Sequence, residues 1–182
     1  MNIQELMDRL ESLGFYQHEP LENAEEAKKL AIDCRWPFAG ELKRGPHFAD
    51  AEELAEGFVG ELLSNVDEFL SLSGVKIEHA EDDFGETSYT VLVNDESFTL
   101  YTKEELEAGA KLWELATQRT IAMLNHLLEG AGAAERCYLL YGGNDAEVIF
   151  LTAEMFKAIA QCEELAERDR PAASGVTGDG HR

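Results

Sequence analysis

The chain has 182 residues, 45% of them hydrophobic and 9% aromatic, which supplies one packed domain and excludes wholesale disorder. Its 37 acidic residues against 15 basic ones leave a formal charge of −22 and a pI near 4.4. A field of that sign repels nucleic acid and anionic membrane and attracts basic proteins, although acidity also serves solubility alone.

Cys34, Cys137 and Cys162 are too few and too scattered for a disulfide framework. The N-terminal segment lacks the basic and apolar regions of a secretory signal, and no apolar run approaches the ~20 residues that span a bilayer. The expected compartment is the cytoplasm.

In chain order, Ile3, Leu6, Met7, Leu10 and Leu13 form a helical stripe over 2–13, stopped by Gly14. A weaker stripe covers 21–32. Residues 33–49 hold Trp36-Pro37, Gly40 and Gly45-Pro46, which argue against a regular element, and carry Arg35, Lys43 and Arg44 as a local basic patch. One helix is expected over 50–72, N-capped by Asp50 with Glu53 and buried through Leu54, Phe58, Leu62, Val66, Phe69 and Leu70. The period then falls to near 2. Val75, Ile77 and His79, then Tyr89, Val91 and Val93, then Phe98 and Leu100 predict a three-stranded antiparallel meander at 75–101.

Thr102 and Glu105 form a capping box for a helix running from Lys103 to about Glu129, buried through Leu106, Ala110, Trp113, Ala116, Thr117, Ile121, Leu124 and Leu128. Cys137–Tyr141 and Val148–Leu151 flank Gly142-Gly143-Asn144-Asp145, a hairpin whose apolar strands read as central. A closing helix carries Met155, Phe156, Ile159, Cys162 and Leu165. The expected fold is α+β, with an antiparallel five-stranded sheet (the three-stranded meander plus the hairpin) packed by helices. It is a single domain over 1–168, with a helical N-terminal region at 1–49, the sheet and main helices at 50–168, and a flexible tail at 169–182.

Chemical motifs are sparse, and no catalytic, cofactor or metal residue is singled out. Gly142-Gly143-Asn144-Asp145 lacks a phosphate-loop lysine. His18, His47, His79, His126 and His181 are dispersed, and Glu81-Asp82-Asp83 with Glu86 lacks the ligand alternation of a calcium loop. Cys137 and Cys162 read as buried and inert, which leaves Cys34 as the candidate reactive thiol.

One feature stands out. From Asp50 to Glu96 there are 14 acidic residues and one basic residue, Lys76. The candidate partner-binding patch comprises Glu78, Glu81, Asp82, Asp83, Phe84, Glu86, Tyr89, Asp95 and Glu96, in which carboxylates steer a basic protein and aromatic area adds affinity. The plainer alternative is an ordinary solvated hairpin turn.

The segment Gly85-x-x-Ser88-Tyr89 leading into strands, with Leu140-Tyr141-Gly142-Gly143-Asn144-Asp145 followed by Val148–Thr152, resembles immunity proteins of bacterial polymorphic toxin systems in general pattern over roughly 75–160. The resemblance implies a non-enzymatic chain that holds a basic, nuclease-like toxin on an acidic face, with no cofactor. Two other readings stay open. A DNA-mimicking or other acidic adaptor would use Glu52, Glu53, Glu56, Glu61, Asp67 and Glu68 as a linear array on the 50–72 helix. An enzyme of unrecognised type would hold His79 or His126 beside two carboxylates in a concave pocket. No nucleic-acid or membrane partner is expected, and the oligomeric state is left open.

Overall fold

The computed structural model describes residues 1–141 and 145–173, so Gly142, Gly143 and Asn144 of the expected turn and 174–182 of the expected tail lie outside the described residues. The first stripe forms helix α1 (Ile3–Ser12), started by a capping box in which Asn2 and Glu5 accept from one another's backbone N–H. Its face of Ile3, Leu6, Met7 and Leu10 is buried, each side chain contributing about 1.5–3 kcal/mol of transfer free energy. Helix α2 (Leu21–Cys34) packs on α1 and buries Ala27 and Ala31.

The expected 50–72 helix is two helices, α3 (Ala51–Ala55) and α4 (Val59–Leu72). Gly57 between them has φ +101°, a left-handed conformation that ends a helix and that glycine adopts without a Cβ clash. The same device divides the 103–129 helix into α5 (Lys103–Glu107) and α6 (Leu112–Gly130), with Gly109 at φ +96°. Thr102 and Glu105 form the expected capping box on α5. The last helix is α7 (Ala153–Ala160); Cys162 and Leu165 lie beyond its end and are buried all the same.

The expected single five-stranded sheet is corrected to two separate three-stranded antiparallel sheets. One has the order β1 (His47–Phe48), β6 (Glu147–Thr152), β5 (Glu135–Leu140); the other runs β2 (Ala80–Phe84), β3 (Ser88–Val93), β4 (Glu96–Thr102). The physical reason lies at the edges of the hairpin. His47 and Phe48, in the stretch read as irregular, pair with Val148 and Glu147 and occupy the outer side of β6. On the outer side of β5, the Asn125 amide of α6 exchanges both hydrogen bonds with the Cys137 backbone, and Ala172 does the same for Leu139. The meander therefore finds no open edge to join, and α6 packs against both β4 and β5.

The β1–β6–β5 sheet divides two apolar clusters. Cys137, Val148 and Phe150 face a core built with α3, α4, α6 and the second sheet, whereas Leu140, Ile149 and Leu151 face α1, α2 and α7. A strand buried on both faces has no polar alternation, which is why these runs read as continuous apolar segments. In the second sheet Tyr89, Val91 and Val93 point inward, and a bulge between Tyr89 and Thr90 lets both Leu100 and Tyr101 of β4 be buried. Val75–His79, expected as a strand, is irregular. Its backbone is held by the Asn94 side chain, which accepts from Glu78 N–H and His79 N–H and donates to the Lys76 carbonyl.

Arg44, one of the three cations of the local basic patch, is 2% exposed at the junction of the two clusters. Its guanidinium donates to the carbonyls of Phe15 and Phe150 and lies over the rings of Phe15 and Phe69. Burial lowers its pKa to about 10, so it stays charged at neutral pH.

Candidate functional site

The acidic residues singled out in the sequence are carried by the β2–β3–β4 sheet, at whose edge β2 lies. The 81–83 carboxylates, expected at a turn, sit within β2 itself; the turn is Gly85–Thr87. Alternation along β2 puts Glu81 and Asp83 on the solvent face and Asp82 with Phe84 on the side facing the core.

Inward placement removes two members from the exposed surface. Tyr89 is fully buried, and its hydroxyl donates to Asp82 Oδ1 while accepting from Val59 N–H at 3.4 Å. Burial first, then the Asp82 carboxylate, pushes the Tyr89 phenol well above its usual value, so it remains a proton donor. Asp82 Oδ2 accepts from Gly60 N–H at 2.9 Å, at the N-terminus of α4. Asp82 and Tyr89 therefore join the sheet to a helix end.

The remaining members fall into two groups at opposite ends of β3, about 17 Å apart by strand rise. Asp83, Phe84 and Glu86 stand at the Gly85–Thr87 end. Phe84 is 60% exposed, its ring edge against Tyr89 and Tyr101 and its Cδ2 close to Gly57. Glu78, Asp95 and Glu96 stand at the other end, where Asn94 and Asp95 make the tight turn. Glu81 lies between the groups. Sequence reasoning missed the contribution of the α3–α4 junction, where Gly57 places the chain beside Phe84, with Glu56 and the 46% exposed Phe58 on either side of that glycine. A glycine inside a periodic helical stripe was the signal for it.

The electrostatics of this region are one-sided. Of the fourteen acidic residues from Asp50 to Glu96, only Glu68, Glu81 and Glu96 contact a cationic or titratable basic side chain among the described residues. Two of those three contacts are to histidines, His79 at 3.3 Å and His126 at 2.7 Å.

Glu52, Glu53 and Glu56 lie at α3, and Glu61, Asp67 and Glu68 on α4, so the six carboxylates make no unbroken helical row. His79 and His126 are each more than half exposed and each meets one carboxylate. A cavity of about 340 Å³ lies elsewhere, between α2 and the 40–41 loop, lined by Asn23, Glu26, Ala27, Leu30, Gly40 and Glu41. Among the described residues no three His, Cys, Asp or Glu side chains are grouped to hold a metal ion, and no helix is long and apolar enough to cross a membrane. Cys137 and Cys162 are buried, burial pushing the Cys137 thiol far up, while Cys34 is exposed.

No family model matches the chain, and no curated protein or solved structure matches it either.

Proposed function

We propose that this chain is a non-catalytic, cytoplasmic acidic binding protein that engages a basic protein through the Phe84 end of the β2–β3–β4 sheet. The observation that carries this reading is an aromatic ring left 60% exposed beside carboxylates that pair with no cation among the described residues. Asp83 and Glu86 flank that ring in sequence, and Glu56 follows from the α3–α4 junction. Like charges concentrated in one region oppose the compact state, and a basic partner relieves that repulsion while burying the ring. Charge then sets the association rate and the choice of partner, and the apolar contact sets how long the complex lasts. In its finer form the proposal is an immunity-type inhibitor that neutralises a basic, nuclease-like toxin, in keeping with the resemblance over 75–160.

The test is affinity capture from a lysate of the cells that make the protein, at about 150 mM salt so that exposed charges beyond ~8 Å are screened. The wild type is compared with an Asp83→Lys, Glu86→Lys variant. One basic protein retained by the wild type and lost by the variant is the expected result. Equal retention, or none by either, reduces the acidity to a solubility device.

A further inference from the structure

A sheet edge is a row of unpaired backbone groups, and proteins usually cover it, shorten it or charge it. Among the described residues, two of the four edges are filled or short and a third is covered in part. The β5 edge is filled by the Asn125 amide at Cys137 and by Ala172 at Leu139. The β4 edge is covered in part: α6 packs against β4 and its Arg119 Nη1 donates to the Leu100 carbonyl, while the outward backbone groups of Ser97 and Thr99 have no hydrogen-bond partner among the described residues. The β1 edge is two residues long.

The β2 edge is the one that carries Glu81, Asp83 and the exposed Phe84 ring. Gly85 N–H donates to the Ser88 carbonyl at 2.9 Å and Asn94 N–H to the His79 carbonyl at 2.8 Å, which fixes the phase of the ladder. Hydrogen-bonded pairs alternate in an antiparallel ladder, so Glu81 and Asp83 exchange bonds with Leu92 and Thr90. The N–H and C=O groups of Ala80, Asp82 and Phe84 consequently point away from β3. None of them has a hydrogen-bond partner among the described residues.

We propose that this free edge of β2 accepts an extended, Lys- or Arg-bearing segment of the basic partner as a fourth strand of the sheet. The inference rests on the acidic-binding reading and names how the partner is held. Strand addition supplies main-chain hydrogen bonds from Ala80, Asp82 and Phe84, and alternate side chains of the incoming segment decide its identity. Those on the solvent face lie beside Glu81 and Asp83 and are basic. Those on the other face lie beside Ala80 and the exposed Phe84 ring and are apolar. Asp82 does not oppose them, because Gly60 N–H and the Tyr89 hydroxyl already take its carboxylate. A second copy of this chain is disfavoured at the same edge, since β2 against β2 sets Glu81 and Asp83 opposite one another.

The probe is a seven-residue synthetic peptide alternating Lys and Val, with a control of equal charge that is N-methylated at alternate positions. Backbone amide exchange is read by NMR. The unmodified peptide is expected to slow exchange at Ala80, Asp82 and Phe84 by about tenfold or more, and the N-methylated peptide to leave it unchanged. Peptides that bind alike without slowing those amides, or that do not bind, overturn strand addition. An Ala80→Pro variant is the second arm: the N–H it removes is outside the β3 ladder, so the sheet is kept while the edge is blocked. Loss of peptide binding in that variant is expected, and retained binding overturns the proposal. A captured partner that survives Ala80→Pro but is lost on Asp83→Lys, Glu86→Lys leaves the acidic-binding reading standing and removes strand addition. One that survives both removes the two together.

Discussion

Gly60 on α4 and Asp82 on β2, 22 residues apart in sequence, are joined by a hydrogen bond from the Gly60 N–H to Asp82 Oδ2 at 2.9 Å. The N-cap residue of α4 is Phe58, whose side chain cannot cap it, so a carboxylate from the neighbouring sheet does so instead. An anion at a helix N-terminus also meets the positive end of the helix dipole. The contact leaves no room for a larger residue, because a Cβ on Gly60 would stand 2.6 Å from the same oxygen.

Asp82→Ala is therefore expected to destabilise the fold by about 2–3 kcal/mol, since it strands both the Gly60 N–H and the Tyr89 hydroxyl. Asp83→Ala, one residue on and facing solvent, should change stability by no more than about 0.5 kcal/mol. Gly60→Ala should also destabilise, despite the better helix propensity of alanine. Urea denaturation midpoints of the three variants check this, and equal midpoints for Asp82→Ala and Asp83→Ala would sink the assignment. The result also decides how binding data are read: substitutions at Asp82 mix folding with recognition, whereas those at Asp83 do not.

Arg44 is a second buried polar tie between distant segments. Its side chain holds the carbonyls of Phe15 and Phe150 and sits between two rings that belong to different apolar clusters. Arg44→Ala is expected to cost about 3–4 kcal/mol, because buried carbonyls lose a charged donor and the space is left empty. Arg44→Lys should recover less than half of that, since a single ammonium cannot reproduce the planar fork. Differential scanning calorimetry of the two variants gives the comparison. A lysine variant as stable as the wild type would show that only the charge matters.

How much of this was legible in the sequence depends on whether the signal is local. The stripe of Ile3, Leu6, Met7 and Leu10 and the Thr102–Glu105 box are local, and both are found as expected. Periodicity runs through Gly57 and Gly109 because the apolar phase resumes beyond each one, although the chain has turned. The alternation of Tyr89 with Val91 and Val93 already placed the tyrosine on the buried face, yet its aromatic hydroxyl also suits an interface. The division into two sheets was not legible, because it depends on His47–Phe48 and Asn125 reaching strands about 100 and 12 residues away in sequence. Nor could Arg44 be recognised, as its carbonyl partners come from two distant segments, 14–15 and 150, and a lone arginine normally reads as exposed.

Stability should fall as pH drops below the ordinary histidine value of 6.5. Burial pushes the imidazole of His47 down, partly opposed by its hydrogen bond to the Lys43 carbonyl. Burial and then the nearby Arg44 do the same for His18. The unfolded chain thus takes up protons at a higher pH than the folded one. Stability is complete above 6.5 and is lost as pH falls through the lower folded values. Carboxylates held low, such as Glu105 beside Arg119 and Asp8 beside Lys28, lose their contribution only in a more acidic range. Urea midpoints at about pH 7.5 and about 5.5 isolate the histidines, and His47→Gln should flatten the difference. An unchanged difference in that variant would place the pH dependence elsewhere.

Asn125 tests the edge of β5. Its side-chain amide donates to the Cys137 carbonyl at 3.2 Å and accepts from the Cys137 N–H at 2.7 Å, the two bonds a neighbouring strand would supply. Asn125→Ala leaves both groups unpaired and should cost about 2–3 kcal/mol. Asn125→Asp keeps the acceptor but turns the donor into a second oxygen facing a carbonyl, so it should be at least as damaging. Asn125→Gln moves the amide by one methylene and tests whether the geometry is strict. Because an unfilled strand edge is a template for pairing, the alanine variant should also self-associate more readily as its concentration rises. Sedimentation velocity over a concentration series reads that directly. A monomer that stays monomeric with a wild-type midpoint would mean the Asn125 contact fills space without holding the edge.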